Sequence, residues 1–345
     1  MNDWTKTLLS DQQGMALLIT IMTVALLVAV TVMFQRKSWQ SYLLANTYKT
    51  DIQLRGMAES GINIGLALLQ QDIKKNSYDS LSDDWAVLEK DELRTLFVDG
   101  NLEVKIEDLS GRLQINSLVQ NADNDQQSEG GQGGAGTEKE LRDILVRLLL
   151  SPMFAIEEET EVHQIVDALV DWIDADERES DNGAESSYYQ ALDTPYGCRN
   201  GPIQYIEELL LVRGITPQVL FGDGEKKGLA DYITVYGEDG RININTADSL
   251  LIKSLDPLIS DELVEKLIDF RDDEENRERL VNSAWYTDIG SWPGDIVLAE
   301  KLLTTQSTFF LVRSIAQSES HFRRVTAVVN RVDVETTKIL SKKVN

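Results

Sequence analysis

The stretch of sequence that decides the fold is MALLITIMTVALLVAVTVMF, which covers residues 15–34. It contains no charged residue, and its only hydroxyl side chains are those of Thr20, Thr23 and Thr31. At about 1.5 Å of rise per residue, a helix over this stretch is about 30 Å long, which matches the hydrocarbon core of a bilayer. A core helix of a soluble protein would carry a polar stripe, which this stretch lacks. The sequence therefore predicts a transmembrane helix over residues 15–34.

The helical pattern continues beyond the membrane segment. Apolar side chains recur at helical spacing as far as Leu69, so the predicted N-terminal helix covers residues 15–72. Within it, Gly56, Gly61 and Gly65 have no side chain and allow another element to approach the backbone closely. We expect them to pack the helix against the protein's own sheet, with contact to a partner helix as the alternative.

Residues 1–14 form a short leader that ends in Gly14, directly before Met15. The apolar stretch is longer than the roughly 7–15 residues of a secretory signal, and no small-residue cleavage site follows it. A leader ending in Gly, followed at once by an uncharged helix, resembles the type IV pilin and pseudopilin class. The resemblance implies that a prepilin peptidase cleaves after Gly14 and that the new N-terminus at Met15 is methylated.

Ile19 occupies the fifth position of the mature chain that this cleavage would produce. Most members of the pilin class carry Glu there, which can pair with the N-terminal amine of a neighbouring subunit. Ile19 cannot make that contact. Cleavage at Gly14 also requires a cytoplasmic N-terminus, whereas Arg36 and Lys37 beyond the helix favour the opposite orientation by the positive-inside rule.

The composition restricts the classes of function. The 345 residues include 58 Asp plus Glu against 33 Lys plus Arg, a formal net charge of -25. Such an acidic chain is poorly suited to neutralise nucleic-acid phosphates, so we expect no nucleic-acid partner. The single cysteine, Cys198, and the two histidines, His163 and His321, offer little material for a zinc or thiol active site. With no Ser-His-Asp set and no phosphate-binding glycine loop, we expect a protein that is not an enzyme.

Strand-like and helix-like patterns alternate beyond the first helix. Strand pairs are predicted from 101–108 with 112–116, from 232–236 with 241–245, and from 309–316 with 321–334. Helices are predicted at 138–150, 161–173, 203–212, 261–272 and, capped by Thr246, 247–254. Residues 121–137 are rich in Gly, Gln, Asp and Asn and predict a flexible loop.

These elements predict an α+β fold with helical units inserted into a pilin-like antiparallel sheet. The β domain is assigned to residues 73–112, 231–245 and 305–334. The large inserted α-helical domain covers 113–230, and a second helical unit of SAM-like or helix-hairpin-like character covers 246–304.

Five ordered motifs carry a more specific resemblance. They are Gly14 before a helix with Ile19; Asp108-Leu-Ser-Gly-Arg-Leu-Gln-Ile-Asn; Asp171-Trp-Ile-Asp-Ala-Asp followed by Gly183-Ala-Glu-Ser-Ser-Tyr-Tyr; Asn243-Ile-Asn-Thr-Ala; and a terminal strand pair. In this order they resemble the minor pseudopilins K of type II secretion systems, the GspK family, from Met15 to about Val334.

The resemblance implies a subunit at the tip of a periplasmic pseudopilus, where it supports export of folded proteins across the outer membrane. The implied partners are minor pseudopilins I and J, with H as a further candidate, the major pseudopilin and the prepilin peptidase. The implied location is the bacterial inner membrane, with a single pass, a cytoplasmic N-terminus and a periplasmic body. Ile19 and the large inserted domain both disfavour a further subunit above this one. A minor pilin of a type IV pilus is the alternative.

Acidic residues concentrate between residues 157 and 185, where twelve carboxylates face one basic residue, Arg178. Hard divalent cations take about six to eight oxygen ligands, which clustered carboxylates and loop carbonyls can supply. The spacing is not that of an EF-hand, and a solvated acidic loop is the alternative. Because the resemblance implies calcium binding in this domain, we expect a site formed by Asp174, Asp176, Asp181 and Glu185.

A rival interpretation comes from Ile242-Asn-Ile-Asn-Thr-Ala and the helical pattern after it, which resemble the start of a helix-hairpin-helix DNA-binding unit. In such units a glycine-rich hairpin presents backbone N–H groups to phosphate. Here the hairpin is Asp256-Pro-Leu-Ile-Ser, which contains no glycine and begins with an acidic residue. We therefore expect a shared scaffold without the phosphate site.

Overall fold

The computed structural model of the chain describes residues 12–88, 93, 97, 100–119, 134–318, 321–333 and 336–345. It is an α+β structure with one long apolar N-terminal helix and an antiparallel sheet, as the sequence predicts. The α-helices are α1 (Gln12–Lys75), α2 (Gly134–Leu149), α3 (Glu159–Ile173), α4 (Ser186–Gln190), α5 (Pro217–Phe221), α6 (Ser249–Leu255) and α7 (Asp261–Asp272). The strands are β1 (Asn101–Asp108), β2 (Leu113–Gln114), β3 (Ile233–Thr234), β4 (Ile242–Asn243), β5 (Leu303–Thr304), β6 (Phe309–Ser318), β7 (His321–Arg331) and β8 (Thr337–Val344).

Helix α1 has an exposed first half and a packed second half. Residues 15–49 are exposed along their whole length, and α1 contains an apolar window long enough to cross a membrane. From Leu54 onward the helix buries one face against the sheet. It ends at Lys75, three residues later than predicted, where Lys74 and Lys75 complement the negative end of the helix dipole.

Four antiparallel strands form the main sheet in the order β1-β6-β7-β8. Burial alternates along β6, because every second side chain faces α1. A methyl group at Gly61 would overlap Ser314 and Val104, and one at Gly65 would lie 2.7 Å from Val312. These two glycines therefore pack α1 on the protein's own sheet, whereas Gly56 faces open space.

The predicted pairings within residues 101–116 and 232–245 are wrong. β1 pairs with β6 instead of with 112–116, and β2 pairs in parallel with β3. β4 pairs in parallel with β5, so the segment 231–245 lies outside the four-stranded sheet to which it was assigned. The physical reason is that alternation of apolar and polar residues indicates a strand but does not specify its partner. Strand β8 escaped prediction because its side chains are exposed or only half-buried, and it therefore lacks an alternating pattern.

The described residues form two separate apolar cores. One lies between α1 and the sheet, and we call this part, formed by α1, β1 and β6–β8, the body. The other lies within residues 113–303, which we call the head. The two helical units assigned to 113–230 and 246–304 share this one core, since side chains from both belong to it.

Several boundaries in the head differ from the predicted ones. Helix α2 begins at Gly134, so residues 134–137 are helical rather than part of the predicted loop 121–137, whose other residues lie outside the described part of the chain. The stretch 203–212 forms a 3-10 helix at Ile206–Leu211. Asp248 caps α6 in place of Thr246, because the Thr246 hydroxyl donates to Asp108.

Candidate functional site

The predicted processing site lies at the start of α1. Gly14, Met15 and Ile19 belong to one continuous helix, and residues 1–11 lie outside the described part of the chain. The side chains of Met15 and Ile19 are exposed, as expected for a helix that other helices or lipid would surround. Cleavage after Gly14 and methylation of Met15 stay predictions.

The acidic region is built on the end of α3. This helix buries an apolar face that includes Val162, Ile165 and Leu169, while Glu159 and Glu161 complement the positive end of its dipole. The rings of Trp172 and Tyr189 contact edge to face with centroids 5.0 Å apart, which ties the end of α3 to α4. The intervening loop is thereby folded back over the C-terminus of α3.

Three carboxylates meet where the loop returns. Oxygen atoms of Asp171, Asp174 and Glu185 all lie within 4.8 Å of one another, and we call these three residues the carboxylate cluster. The structure thus brings together two of the four predicted residues and adds Asp171. Of the other two, Asp176 is exposed and donates its backbone N–H to Asp174 Oδ1 at 3.3 Å. Asp181 is exposed on the loop, outside the cluster.

Glu185 is the least compensated member of the cluster. Glu185 is 2% exposed, and neither of its carboxylate oxygens has a hydrogen-bond partner among the described residues. Burial, followed by the charges of Asp171 and Asp174, raises the pKa of Glu185 to about 7. Burial and the charge of Asp176 raise the pKa of Asp174 to about 6. Buried polar atoms without partners are rare in folded proteins, so a positively charged ligand would stabilise this arrangement.

Asp171 is held in place by the loop. It is fully buried, and its Oδ1 accepts a hydrogen bond from Ser180 Oγ at 2.6 Å. A methyl group at Gly183 would overlap the Asp171 carboxylate, which explains why glycine stands there. Both Asp171 and Asp174 lie at the C-terminal end of α3, where the helix dipole adds further negative potential. Residues i and i+3 of a helix share a face, and this spacing was the sequence signal for Asp171.

The other two residues singled out by the sequence do not join the cluster. Cys198 is half-buried, and burial raises the pKa of its thiol to about 11, so the reactive thiolate is scarce at neutral pH. His163 is exposed, with Nε2 4.0 Å from a carboxylate oxygen of Glu159. Neither residue belongs to a group of possible metal ligands in the described part of the chain.

Known proteins that match this chain share one description. Residues 111–238 match the family model of the type II secretion system (T2SS) protein K. Two curated relatives, each named type II secretion system protein K, come from Pectobacterium carotovorum subsp. carotovorum and Klebsiella pneumoniae. They are 27% and 25% identical to this chain over 69% and 68% of its length. The alignments span 67% and 66% of the relatives, so this chain is matched over about two thirds of their length.

The same fold occurs in a solved structure, the crystal structure of the GspK-GspI-GspJ complex from the type 2 secretion system of enterotoxigenic Escherichia coli. The match has a TM-score of 0.61 and covers 87% of this chain and 99% of that chain, at 16% identity. At this identity the likeness establishes the fold. It confirms the predicted combination of a long helix, an antiparallel sheet and inserted helices.

Proposed function

We propose that this chain, which belongs to the type II secretion system protein K family, is a minor pseudopilin that caps the tip of a periplasmic pseudopilus. The proposal rests on the position of the family match within the chain. Residues 111–238 follow directly on β1, and the chain returns to the sheet only at Phe309. The matched domain is therefore an insertion into a pilin-like body.

The two halves of α1 suit such a subunit. The exposed residues 15–34 offer an apolar, uncharged surface that lipid can cover before assembly and neighbouring helices can cover afterwards. Ile19 provides no carboxylate for a subunit stacked above. The head adds about two hundred residues to one side of the body, a bulk that hinders further stacking. Both features support a position at the tip, and its work would be assembly rather than catalysis.

We further propose minor pseudopilins I and J as direct partners, because the solved chain of the same fold was crystallised with GspI and GspJ. Minor pseudopilin H, the major pseudopilin and the prepilin peptidase follow from the same proposed assembly. The chain would cross the inner membrane once through residues 15–34, with its N-terminus in the cytoplasm and the body and head in the periplasm. Arg36 and Lys37 oppose this orientation, and the requirement for cleavage after Gly14 outweighs them.

The carboxylate cluster fits a bound calcium ion. Three carboxylates with two unpartnered buried oxygens offer the hard oxygen ligands that calcium prefers. Asp171, Asp174 and Glu185 would hold the ion, and the charge of the exposed Asp176, which raises the pKa of Asp174, adds to the negative potential at the site. The ion would supply a positive charge directly to these three carboxylates. It would thereby hold the 174–185 loop against α3.

Processing gives the first test. Gly14→Ala should leave an uncleaved precursor and impair export of secreted proteins in a strain that lacks its own protein K. Gly56→Ala is the matched control, because Gly56 lies in the same helix and faces open space. Cleavage and export at the normal level with Gly14→Ala would contradict the assigned processing site.

The alternative from the same leader and helix is a minor pilin of a type IV pilus. Co-purification separates the two. The full-length chain should bind minor pseudopilins I and J and leave type IV minor pilins unbound. Binding to type IV minor pilins alone would replace the proposed function by the alternative.

A further inference from the structure

A set of polar side chains joins body and head, although each part has its own apolar core. Five side chains lie at the crossing points of the chain, and we call them the junction: Asp79, Asp108, Asn243, Thr246 and Ser307. Asp79, Asn243 and Ser307 are each at least nine-tenths buried. Hydrogen bonds are directional, whereas apolar contacts allow sliding, so a polar surface of this kind can fix an angle.

Asp108 is the centre of the junction. It is the last residue of β1, where the chain leaves the body. Its Oδ2 accepts hydrogen bonds from Thr246 Oγ1 at 2.5 Å and Asn243 Nδ2 at 3.3 Å, both in the head. The same oxygen accepts from Ser307 Oγ at 2.5 Å, where the chain returns to the body. One carboxylate oxygen thus joins three segments that are distant in sequence.

Asn243 makes the reciprocal set of contacts from the head. Its Nδ2 also donates to Ser307 Oγ at 2.7 Å and to the backbone oxygen of Asp79 at 3.3 Å. Its backbone N–H donates to the carbonyl oxygen of Ser110 at 2.8 Å. Asn243 is fully buried, so every one of these donors would be unsatisfied if the head moved away.

Asp79 anchors the junction in the body. Its Oδ2 accepts from the backbone N–H of Ser307 at 2.7 Å, and its Oδ1 accepts from Arg331 Nη2 at 2.5 Å. Arg331 lies in β7 and also donates to the carbonyl oxygen of Ser307 at 2.9 Å. The segment between β5 and β6 is therefore held by Asp79 through the N–H of Ser307 and by Arg331 through its carbonyl oxygen.

Two sequence motifs that the cation site leaves unexplained meet at this place. Asp108-Leu-Ser-Gly contributes Asp108 and Gly111, and Asn243-Ile-Asn-Thr contributes Asn243 and Thr246. A methyl group at Gly111 would overlap the Thr246 hydroxyl, so glycine is needed for the close approach. Outside the junction, the side-chain contacts between head and body include the stacked rings of Tyr236 and Phe309, with centroids 6.2 Å apart, and an exposed ion pair of Lys343 with Glu207 at 3.9 Å. The exposed ion pair contributes little.

We infer that the junction sets the angle at which the head is held on the body, and that Asp108, Asn243 and Thr246 are its positioning residues. The inference itself stands on the hydrogen bonds. Its consequence for the tip rests on the proposed function, because the head hinders further stacking only if it is held at one angle.

Distances between spin labels test this inference on the full-length chain. Labels at Gln53→Cys in the body and Asp193→Cys in the head are both exposed, and Cys198→Ser removes the natural thiol. The parent should give one narrow distance distribution. Asn243→Ala with Thr246→Val should broaden it about twofold or more, because two of the donors to Asp108 are lost. Lys343→Ala is the matched control at the same surface and should leave the width unchanged.

The head must stay folded for this result to count, so its unfolding temperature is measured on the same samples. If the double variant unfolds, Thr246→Val alone decides, since valine keeps the shape and removes only the hydroxyl donor. If the folded variant gives a distance distribution as narrow as that of the parent, the inference is overturned. Failure of the parent to bind minor pseudopilins I and J would instead overturn the proposed function and leave the width result standing.

Discussion

The carboxylate cluster of the head and a second acidic group in the body, Asp72, Asp79 and Asp83, both bring oxygens of three residues within 4.8 Å. In the body, Arg331 lies among them and pairs with Asp72 at 3.2 Å and Asp79 at 2.5 Å. In the head, the described residues provide no such cation, and Glu185 keeps two buried oxygens without partners. One group is therefore paired with a cation from within the fold, whereas the carboxylates of the other have no such partner among the described residues.

The pKa values of Asp79 and Glu185 are both raised to about 7, so the two acidic groups differ in the neighbouring charges that act on those pKa values. Burial raises the pKa of Asp79 to about 7, although the Arg331 charge and hydrogen bonds act in the opposite direction. For Glu185, burial and three or more neighbouring carboxylates all raise the pKa. The opposing cation is therefore the feature that distinguishes the two groups. It can be removed from the body by replacing Arg331, and it can be supplied to the head as calcium.

The largest effect is expected from removing the internal cation. Arg331→Ala leaves Asp72 and Asp79 buried without a positive partner, which costs about 3–5 kcal/mol of unfolding free energy. Urea unfolding of the full-length chain measures it. Lys343→Ala, which removes an exposed ion pair, should cost less than about 1 kcal/mol. A small effect of Arg331→Ala would show that the body does not depend on its internal cation.

The second effect is the response of the head to calcium. At about a hundredfold excess over its Kd, a bound ion stabilises the folded state by about 3 kcal/mol, a shift of several degrees in unfolding temperature. Glu185→Gln should abolish most of this shift. Asp181→Asn, an exposed position outside the cluster, should retain it. An equal shift in both variants would remove Glu185 from the site.

A smaller effect is expected from the loop that covers Asp171. Gly183→Ala places a methyl group against the Asp171 carboxylate and should weaken calcium binding about tenfold while the chain stays folded. Titration calorimetry measures the affinity. Gly197→Ala is the control, because no atom lies near a side chain at that glycine. Unchanged affinity for Gly183→Ala would mean that Asp171 does not contact the ion.

The smallest effect is on pH dependence. Because the pKa of Glu185 is raised to about 7 in the fold, the folded chain holds this proton more tightly than the unfolded chain. In chelator, the stabilisation from this proton is complete below about pH 4.5 and is lost as the pH rises through about 7. Calcium competes with the proton, so the difference in unfolding temperature between calcium and chelator should widen from about pH 5 to pH 8. Glu185→Gln should flatten that difference.

Sequence alone predicted local structure better than long-range contacts. The strand Asn101–Asp108 and the helix Asp261–Asp272 were predicted with their observed limits, because both carry complete periodic patterns. The partner of β1 lies about two hundred residues away in β6, and no local pattern encodes that pairing.

The same limit applies to the sites. Asp174 and Glu185 were predicted from the density of acidic residues together with the calcium binding that the family resemblance implies. Asp171 was visible only as a neighbour on the same helix face. Asp181 was chosen for its place in the sequence, whereas the loop turns it towards solvent. Arg331 balances the charge of Asp79, which lies 252 residues away in sequence. The difference between the two acidic groups could therefore be recognised only in the three-dimensional fold.

The proposed function makes this chain the tip subunit of a pseudopilus, in contact with minor pseudopilins I and J. Co-expression of the three full-length proteins, followed by affinity capture on this chain and determination of the mass of the complex, tests it most directly. We expect a complex with one copy of each protein. Capture of this chain alone, with minor pseudopilins I and J left in the unbound fraction, would contradict the proposed function.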